Sequence, residues 1–543
     1  MNTDADILVV GAGHNSLIAA AYLATAGKKV LVLERNHYPG GGVASAELAE
    51  PGFLDELHSL IHVRILPNPV IADDELGLLS RYGLEYIPID TPHAAIFEDG
   101  TFIPISRDRA QTIARIREIS PHDADAYDRF MDLAVRIVEQ VTPGFFVPPI
   151  RRSQQIAGLE TTQVGREILR VTGMSVTDVI AEWFVDHRVQ IALARMASEL
   201  TLAHPDDLNT GMITFLAPGL NELYGMALPR GGGSAFTTAC VRCIEDHGGE
   251  VHTSVHVEKI LNRDGRAVGV RTSEGAELSA KDAVLASIHP HRLGDMIEGL
   301  DANTARTAAQ TTLAPYSAFV VHASLDEPLR FTADPEADTI IWNTFSPTSR
   351  DSVTESFDDM RRGRLPRVPM LEAGCPSVAD PSRAPEGMAN LHMLSLTSLN
   401  LADGGPGRWR AIQEQYCQRL FDRLADFTTN LRPGLVRAQA FITPLDHELN
   451  SLSFAGGDYT GIASFGHQMG DARPTRELSG YAVPGVAGLY LTGPFMHPGG
   501  GVVGGGRPTA IRMFADLDIP FGPFRPTTTT TPSPVTAGPA AER

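Results

Sequence analysis

Four apolar residues in succession, Ile7-Leu8-Val9-Val10, form the first element the chain predicts. Alternation would mark a strand with one wet face, whereas an unbroken β-branched run marks a strand covered on both. Gly11-Ala12-Gly13-His14-Asn15-Ser16 follows at once, and Leu17 to Ala26 then reads as an alanine-rich helix stopping at Gly27. Lys28 to Leu33 supplies a second strand with Glu34 at its carboxyl end. Farther on, Ala235 to Asp246 reads as a helix. Val251 to Ile260 and Ala267 to Thr272 read as a strand pair turning at Gly265, and Ala283 to Ala286 as another strand. Gly488 to Gly493 reads as a last buried strand ending in a turn. Arg507-Pro508 opens a helix through Phe514, with Pro508 at the first helical position, where no N–H is needed. Residues 522–543 are rich in Thr, Pro and Ala and poor in large apolar groups, the composition of a disordered tail. No repeat with a period of about 20 to 50 residues is present, which disfavours a solenoid or propeller.

Glycines cluster at Gly11/Gly13, Gly40–Gly42, Gly231–Gly233 and Gly499–Gly506. The first cluster has a defined physical job: Gly11 permits a tight turn, and Gly13 lets a pyrophosphate approach backbone N–H groups at a helix start. Glu34 lies 23 residues beyond Gly11, the separation at which an acid reaches a ribose hydroxyl in a dinucleotide fold. Ser16 replaces the third glycine of that pattern. A further glycine group six residues past Glu34 is not needed for NAD and suits FAD, whose longer body requires a second close backbone approach. Residues 499–504 formally match the same glycine spacing, but their strand ends at Leu491, too early for a second nucleotide fold. The helix start behind Gly499–Gly506 is instead an anion site suited to a reduced flavin.

Composition narrows the function. The chain has 543 residues, 43% apolar and 20% charged, as a globular protein with a large core requires. Its 45 basic against 65 acidic residues leave a net charge of −20, which argues against nucleic-acid binding and against a polybasic membrane anchor. No apolar run approaches the roughly 18 residues of a spanning helix, and Asp4 and Asp6 stand where a signal peptide would be basic. Four cysteines make no disulfide framework. A cytoplasmic protein is expected, with membrane contact at most peripheral.

These segments resemble the phytoene-dehydrogenase-like FAD oxidoreductases, a group that includes carotenoid desaturases and isomerases and the pyridine-nucleotide-disulphide-oxidoreductase-domain proteins. The matching pieces are Gly11 to Ser16, Glu34 to Gly41, Pro51-Gly52-Phe53, Gly231 to Ser234, Leu489 to Gly493 and, most specific, His497-Pro-Gly-Gly-Gly-Val502. The resemblance implies an α/β fold: a Rossmann-like, doubly wound FAD domain from residues 1–95, 225–300 and 475–520. Interleaved with it is a substrate domain of mixed sheet plus helices from 96–224 and 301–474. It also implies that Gly11, Gly13, His14, Asn15, Ser16, Glu34, Arg35, Gly40, Gly41 and Gly42 hold adenosine and pyrophosphate. Val257 would meet the adenine, and Gly493, Gly500, Gly501 and Val502 would line the flavin. Gly42 stands where many relatives have arginine.

The implied activity is dehydrogenation of a hydrophobic small molecule by hydride transfer to flavin N5, with oxygen and quinone both open as electron acceptors and a homo-oligomer also open. Flavin-dependent double-bond isomerisation is one alternative, and a lipid carrier of the GDP-dissociation-inhibitor type is another. His497 is the best-placed histidine for acid–base or ring-positioning work, with His467, Tyr459 and Arg473 near enough in sequence to reach the same cavity. The lysines, Lys28, Lys29, Lys259 and Lys281, lie inside nucleotide-binding segments, which counts against an amine oxidase. No metal site is expected: Cys240 and Cys243 read as core packing, and His58 and His62, spaced as on a helix, as packing or cavity lining. Pro143 to Pro149 reads as a packed loop that could also admit a hydrophobic substrate.

Overall fold

A computed structural model describes residues 4–522 and 524; the predicted tail at 522–543 otherwise lies outside the described residues. Two seven-stranded sheets organise the chain. In the first, Asp4–Val10 lies between Val30–Leu33 and Glu277–Ala286, with Glu250–His252 beyond one and Leu489–Leu491 beside the other. These five strands run parallel, in register at Leu8↔Leu31, Leu8↔Val284, Leu31↔Glu250 and Val284↔Leu489. Ile7 and Val9 pack beneath the helices His14–Thr25, Ser234–Asp246 and Gly506–Asp516. Leu8 and Val10 pack on the other face with Ile260, Val270 and Phe495. Both faces are covered, which is why the run shows no polar alternation.

Several element bounds differ from expectation, among them the strand expected over Ala283–Ala286, which starts at Glu277. The strand foreseen over Val251–Ile260 is two, Glu250–His252 and Val257–Arg263. Ser254 between them has φ +60°, and the N–H groups of Ser254 and Val255 donate to Asn36 and Glu34 carbonyls at 2.8 and 2.7 Å. The chain there crosses the end of its neighbour strand, and only Val257–Arg263 pairs antiparallel with Arg266–Thr272. The last helix opens at Gly506, so Pro508 is its third residue. A side chain on Gly506 would place Cβ 2.1 Å from the Asn15 carbonyl oxygen.

The second sheet runs Val436–Ile442, Ser317–Leu325, Ala389–Thr397, Met370–Gly374, Trp342–Ser346, His93–Phe97 and Phe102–Ile105. Only Trp342–Ser346 and His93–Phe97 pair parallel. Its outer face carries Leu371, Ala373, Leu391 and Met393 against the helix Trp409–Ala425. Its inner face carries Met370 and Leu396 against the helices Pro121–Val141, His187–Thr201 and Ile213–Tyr224. Leu394 sits on that inner face in the middle of a central strand, yet is only partly buried. Ile61, Val63, Met212, Trp342 and Tyr459 are likewise partly buried against the same core. An apolar side chain left partly uncovered in the interior marks open space over the sheet.

Candidate active site

Gly11 turns the chain at φ +88° and donates its N–H to the Leu33 carbonyl at 2.8 Å. Glu34, only 8% exposed, accepts the N–H of Ala12 at 2.7 Å and that of Asn36 at 2.8 Å. Gly40 docks onto the first glycine loop through an N–H bond to the Ala12 carbonyl at 2.8 Å, and a Cβ on Gly41 would stand 3.1 Å from Gly13 Cα. Gly13 itself faces open space. It borders a groove of about 110 Å³ shared with Glu34, Arg35, Val257, Ser287 and Arg292 and lined on one side by residues 450–453.

The final glycine segment converges on the same helix start. Val502 shares a core with Ala12 and Leu17. Asn68 donates to the Val503 carbonyl at 2.9 Å and Arg64 to that of Gly500 at 3.1 Å. Gly493 lies against Ser287, whose hydroxyl would be 3.0 Å from a Cβ at that glycine, and Ser287 lies against Gly11. At the helix start His14 Nε2, Asn15 Oδ1 and Ser16 Oγ are buried with no partner in the protein. Buried polar atoms are nearly always paired. Unpaired atoms beside a glycine-walled groove therefore fit an elongated ligand bearing its own donors and acceptors, as FAD is.

The four residues singled out for chemistry occupy different settings. His497 donates through Nε2 to the Gly144 carbonyl at 3.0 Å; burial brings its imidazole down to about 4, with the Gly144 bond opposing. That bond fastens the glycine segment to the turn Thr142–Phe146, part of the proline-bounded stretch. Arg473 is fully buried and donates to the carbonyls of Ile462, Ala463, Pro494 and Met496, so its guanidinium staples two loops together. His467 is exposed and stacks on Phe465. Tyr459 is the one of the four that borders the open space over the second sheet.

His58 and His62 share no helix: His62 is buried with Nδ1 2.7 Å from the Tyr86 hydroxyl, and His58 pairs with His447. Cys240 and Cys243 are buried in the first sheet's core, and no group of metal-ligating side chains occurs among the described residues. Lys28 and Lys281 pair with Asp282 and Asp6 of the nucleotide sheet. Sequence reading missed Ser287, Arg292 and 450–453 in the groove, because only tertiary folding brings them to Glu34.

Residues 9–64 match the NAD(P)-binding Rossmann-like domain family. One of the subunits of limonene dehydrogenase from Castellaniella defragrans is 26% identical, covering 94% of both chains. A lycopene-forming phytoene desaturase of Pseudescherichia vulneris is 25% identical over 94% of this chain and 99% of its own. Among solved structures, an oxidoreductase from Methanosarcina mazei shares the fold with a TM-score of 0.59 at 16% identity, covering 94% of this chain and 99% of its own. Among the described residues no helix is long and apolar enough to cross a membrane. Similarity along nearly the whole chain to such dehydrogenases and desaturases, on a fold with a glycine-walled dinucleotide groove, makes this protein an FAD-dependent oxidoreductase similar to the phytoene-dehydrogenase-like enzymes.

Proposed function

We propose that the enzyme dehydrogenates a hydrophobic small molecule lying between the cofactor groove and the inner face of the second sheet. The observation that carries this is the partial exposure, on or against that inner face, of Leu394, Ile61, Val63, Trp342 and Tyr459. Such a wall removes apolar substrate from water and keeps water from the reacting carbons. The relatives named for limonene and phytoene point to the same substrate class. Glu34 would receive the ribose hydroxyls of FAD, the Gly11–Gly13 and Gly40–Gly42 backbones its pyrophosphate, and the segment from Gly493 to Val502 its ring. When bound, oxidised FAD supplies the hydride acceptor.

The test is anaerobic mixing of FAD-loaded enzyme with limonene and with phytoene in micelles. Loss of the visible flavin bands is expected, followed by their return with oxygen or quinone. Turnover only after the flavin is pre-reduced would make the protein an isomerase. A colourless protein that takes up no FAD would make it a carrier.

A further inference from the structure

Dehydrogenation removes a hydride from one carbon and a proton from its neighbour, and the proton needs an acceptor. His447 Nε2 lies 3.1 Å from the Ala318 carbonyl oxygen. A carbonyl only accepts, so that nitrogen carries the hydrogen and the Nδ1 of neutral His447 is a bare acceptor. His58 Nδ1 stands 3.1 Å from it and therefore donates. The remaining nitrogen, His58 Nε2, is left as a lone pair, and no group among the described residues hydrogen-bonds to it.

His58 is half-buried and sits at the junction of the two halves of the site. Its ring meets Phe454 edge-on at 4.8 Å. Phe454 in turn fills the space a side chain on Gly42 would need, its Cζ 3.1 Å from the position of a Cβ. Ser59 donates to the Gly42 carbonyl at 3.3 Å, fixing His58 beside the cofactor loop. On the other side, the His447 ring is 5.8 Å from that of Tyr459, which borders the substrate space. The absence of an arginine at position 42 thus leaves room for an aromatic ring that orients an imidazole.

We infer that His58 Nε2 is the base that accepts the substrate proton and that His447 is its positioning residue; this rests on the dehydrogenase reading above. The C–H bond that breaks toward His58 leaves its electron pair between the carbons as the new C=C bond, while the neighbouring carbon gives up its hydride, for which bound oxidised FAD would be the two-electron acceptor. The imidazolium then returns the proton to water. Burial, then the neighbouring His447, holds the His58 imidazole well below the ordinary histidine range, so it is neutral and its Nε2 lone pair is unprotonated before the substrate arrives. Burial also brings His447 down to about 4, with the Ala318 bond and Asp446 opposing. The other titratable groups around the pair are His322 and His392 on the second sheet, Asp55 beside His322, and Tyr459.

Two measurements on the FAD-loaded enzyme test this. Nitrogen NMR of histidine-labelled protein, assigned by the signals lost in His58→Gln, should show His58 protonated at Nδ1 and bare at Nε2 at neutral pH. An Nε2–H tautomer or an imidazolium would overturn the assignment. In anaerobic stopped flow with limonene or phytoene, His58→Gln should slow flavin reduction by about 10²- to 10⁴-fold with FAD content unchanged. His447→Gln should give a smaller loss with a displaced pH profile. An unimpaired His58→Gln enzyme would sink the base. If neither hydrocarbon reduces the wild-type flavin, the dehydrogenase reading fails, while the tautomer measurement still decides for or against His58.

Discussion

The two seven-stranded sheets solve different problems with different parts of the residue. At the nucleotide sheet the working surface is backbone: Gly11 and Gly40 tie the two glycine loops to their neighbours through N–H bonds, and Gly13 and Gly41 contribute the absence of side chains. At the second sheet the working surface is side chain, an apolar face holding the few polar groups that could do chemistry. A backbone surface is brittle, since any added atom separates chains that must touch. A side-chain surface is graded, because substitutions change affinity or rate before they change the fold.

Adding side-chain atoms where two helices touch should have the largest effect. A Cβ at Gly506 would lie 2.1 Å from the Asn15 carbonyl oxygen and 2.9 Å from the Ala19 nitrogen, and neither backbone can yield. Gly506→Val should therefore give no folded, FAD-binding protein, read as loss of soluble yield and of flavin colour. A normally folded, yellow Gly506→Val protein would break the contrast between the two sheets.

Next comes the joint between them. Arg383 is fully buried, bonded to Glu56 at 2.7 Å and to Asp380 at 3.1 Å. These carboxylates also accept the N–H groups of Gly233 and Gly231, so one guanidinium ties the middle glycine loop to the second half of the chain. Arg383→Met leaves two buried carboxylates without their cation and should cost about 3–5 kcal/mol in denaturant unfolding. Burial pushes Asp380 up, but Ser382, the Gly231 N–H and Arg383 together hold it below the ordinary carboxylate range. Its contribution is therefore present above that range and lost as pH falls through its lowered value. Arg383→Met should weaken that acid-side loss.

The same contrast explains what could be read before folding. From Ile7 to Glu34, strand, turn, helix and acid touch within one short stretch, so spacing alone locates the groove. Ser254 and Pro508 misled because a left-handed residue and a helix-to-helix contact, neither visible in periodicity, moved the element ends. His58 looked like packing because its partner His447 is 389 positions away. Strand pairing of His93–Phe97 with Trp342–Ser346 is equally remote, and no local pattern announces it. Arg473 stands just before the last strand in sequence, but its guanidinium is consumed by four carbonyls that only the loop fold supplies.

Within the nucleotide half a milder change sharpens the picture. In Glu34→Gln one amide group replaces an oxygen, so the side chain cannot accept from both Ala12 and Asn36 and has lost its charge toward a ribose. Charge-assisted bonds are worth roughly 1.5–3 kcal/mol, so FAD should bind about 10- to 100-fold more weakly by fluorescence titration, with the apoprotein still folded. Asp55, buried beside His322, supplies a pH-dependent counterpart, raised to about 7 by burial, against N–H groups of Ala49 and Leu48 that lower it. A raised carboxyl favours the folded state while protonated, so its contribution is full at acid pH and lost as pH rises through about 7. Between the ordinary carboxylate value of about 4 and about 7, each pH unit should cost about 1.4 kcal/mol, and Asp55→Asn should flatten that slope.

The smallest expected effect is the most informative about the open space. Leu394 and Leu396 lie two residues apart on one strand and one face, but Leu396 is fully buried and Leu394 is not. Removing a packed leucine leaves a cavity and costs about 2–5 kcal/mol, which sets the expectation for Leu396→Ala. Leu394→Ala enlarges a space already there, so only the partial burial of its side chain is lost, about 1 kcal/mol. Its substrate affinity should fall by more than its stability, because the lost contacts are those a hydrocarbon would make. Equal destabilisation by both substitutions would mean that the second sheet is packed solid at Leu394, leaving no room for a substrate over its inner face.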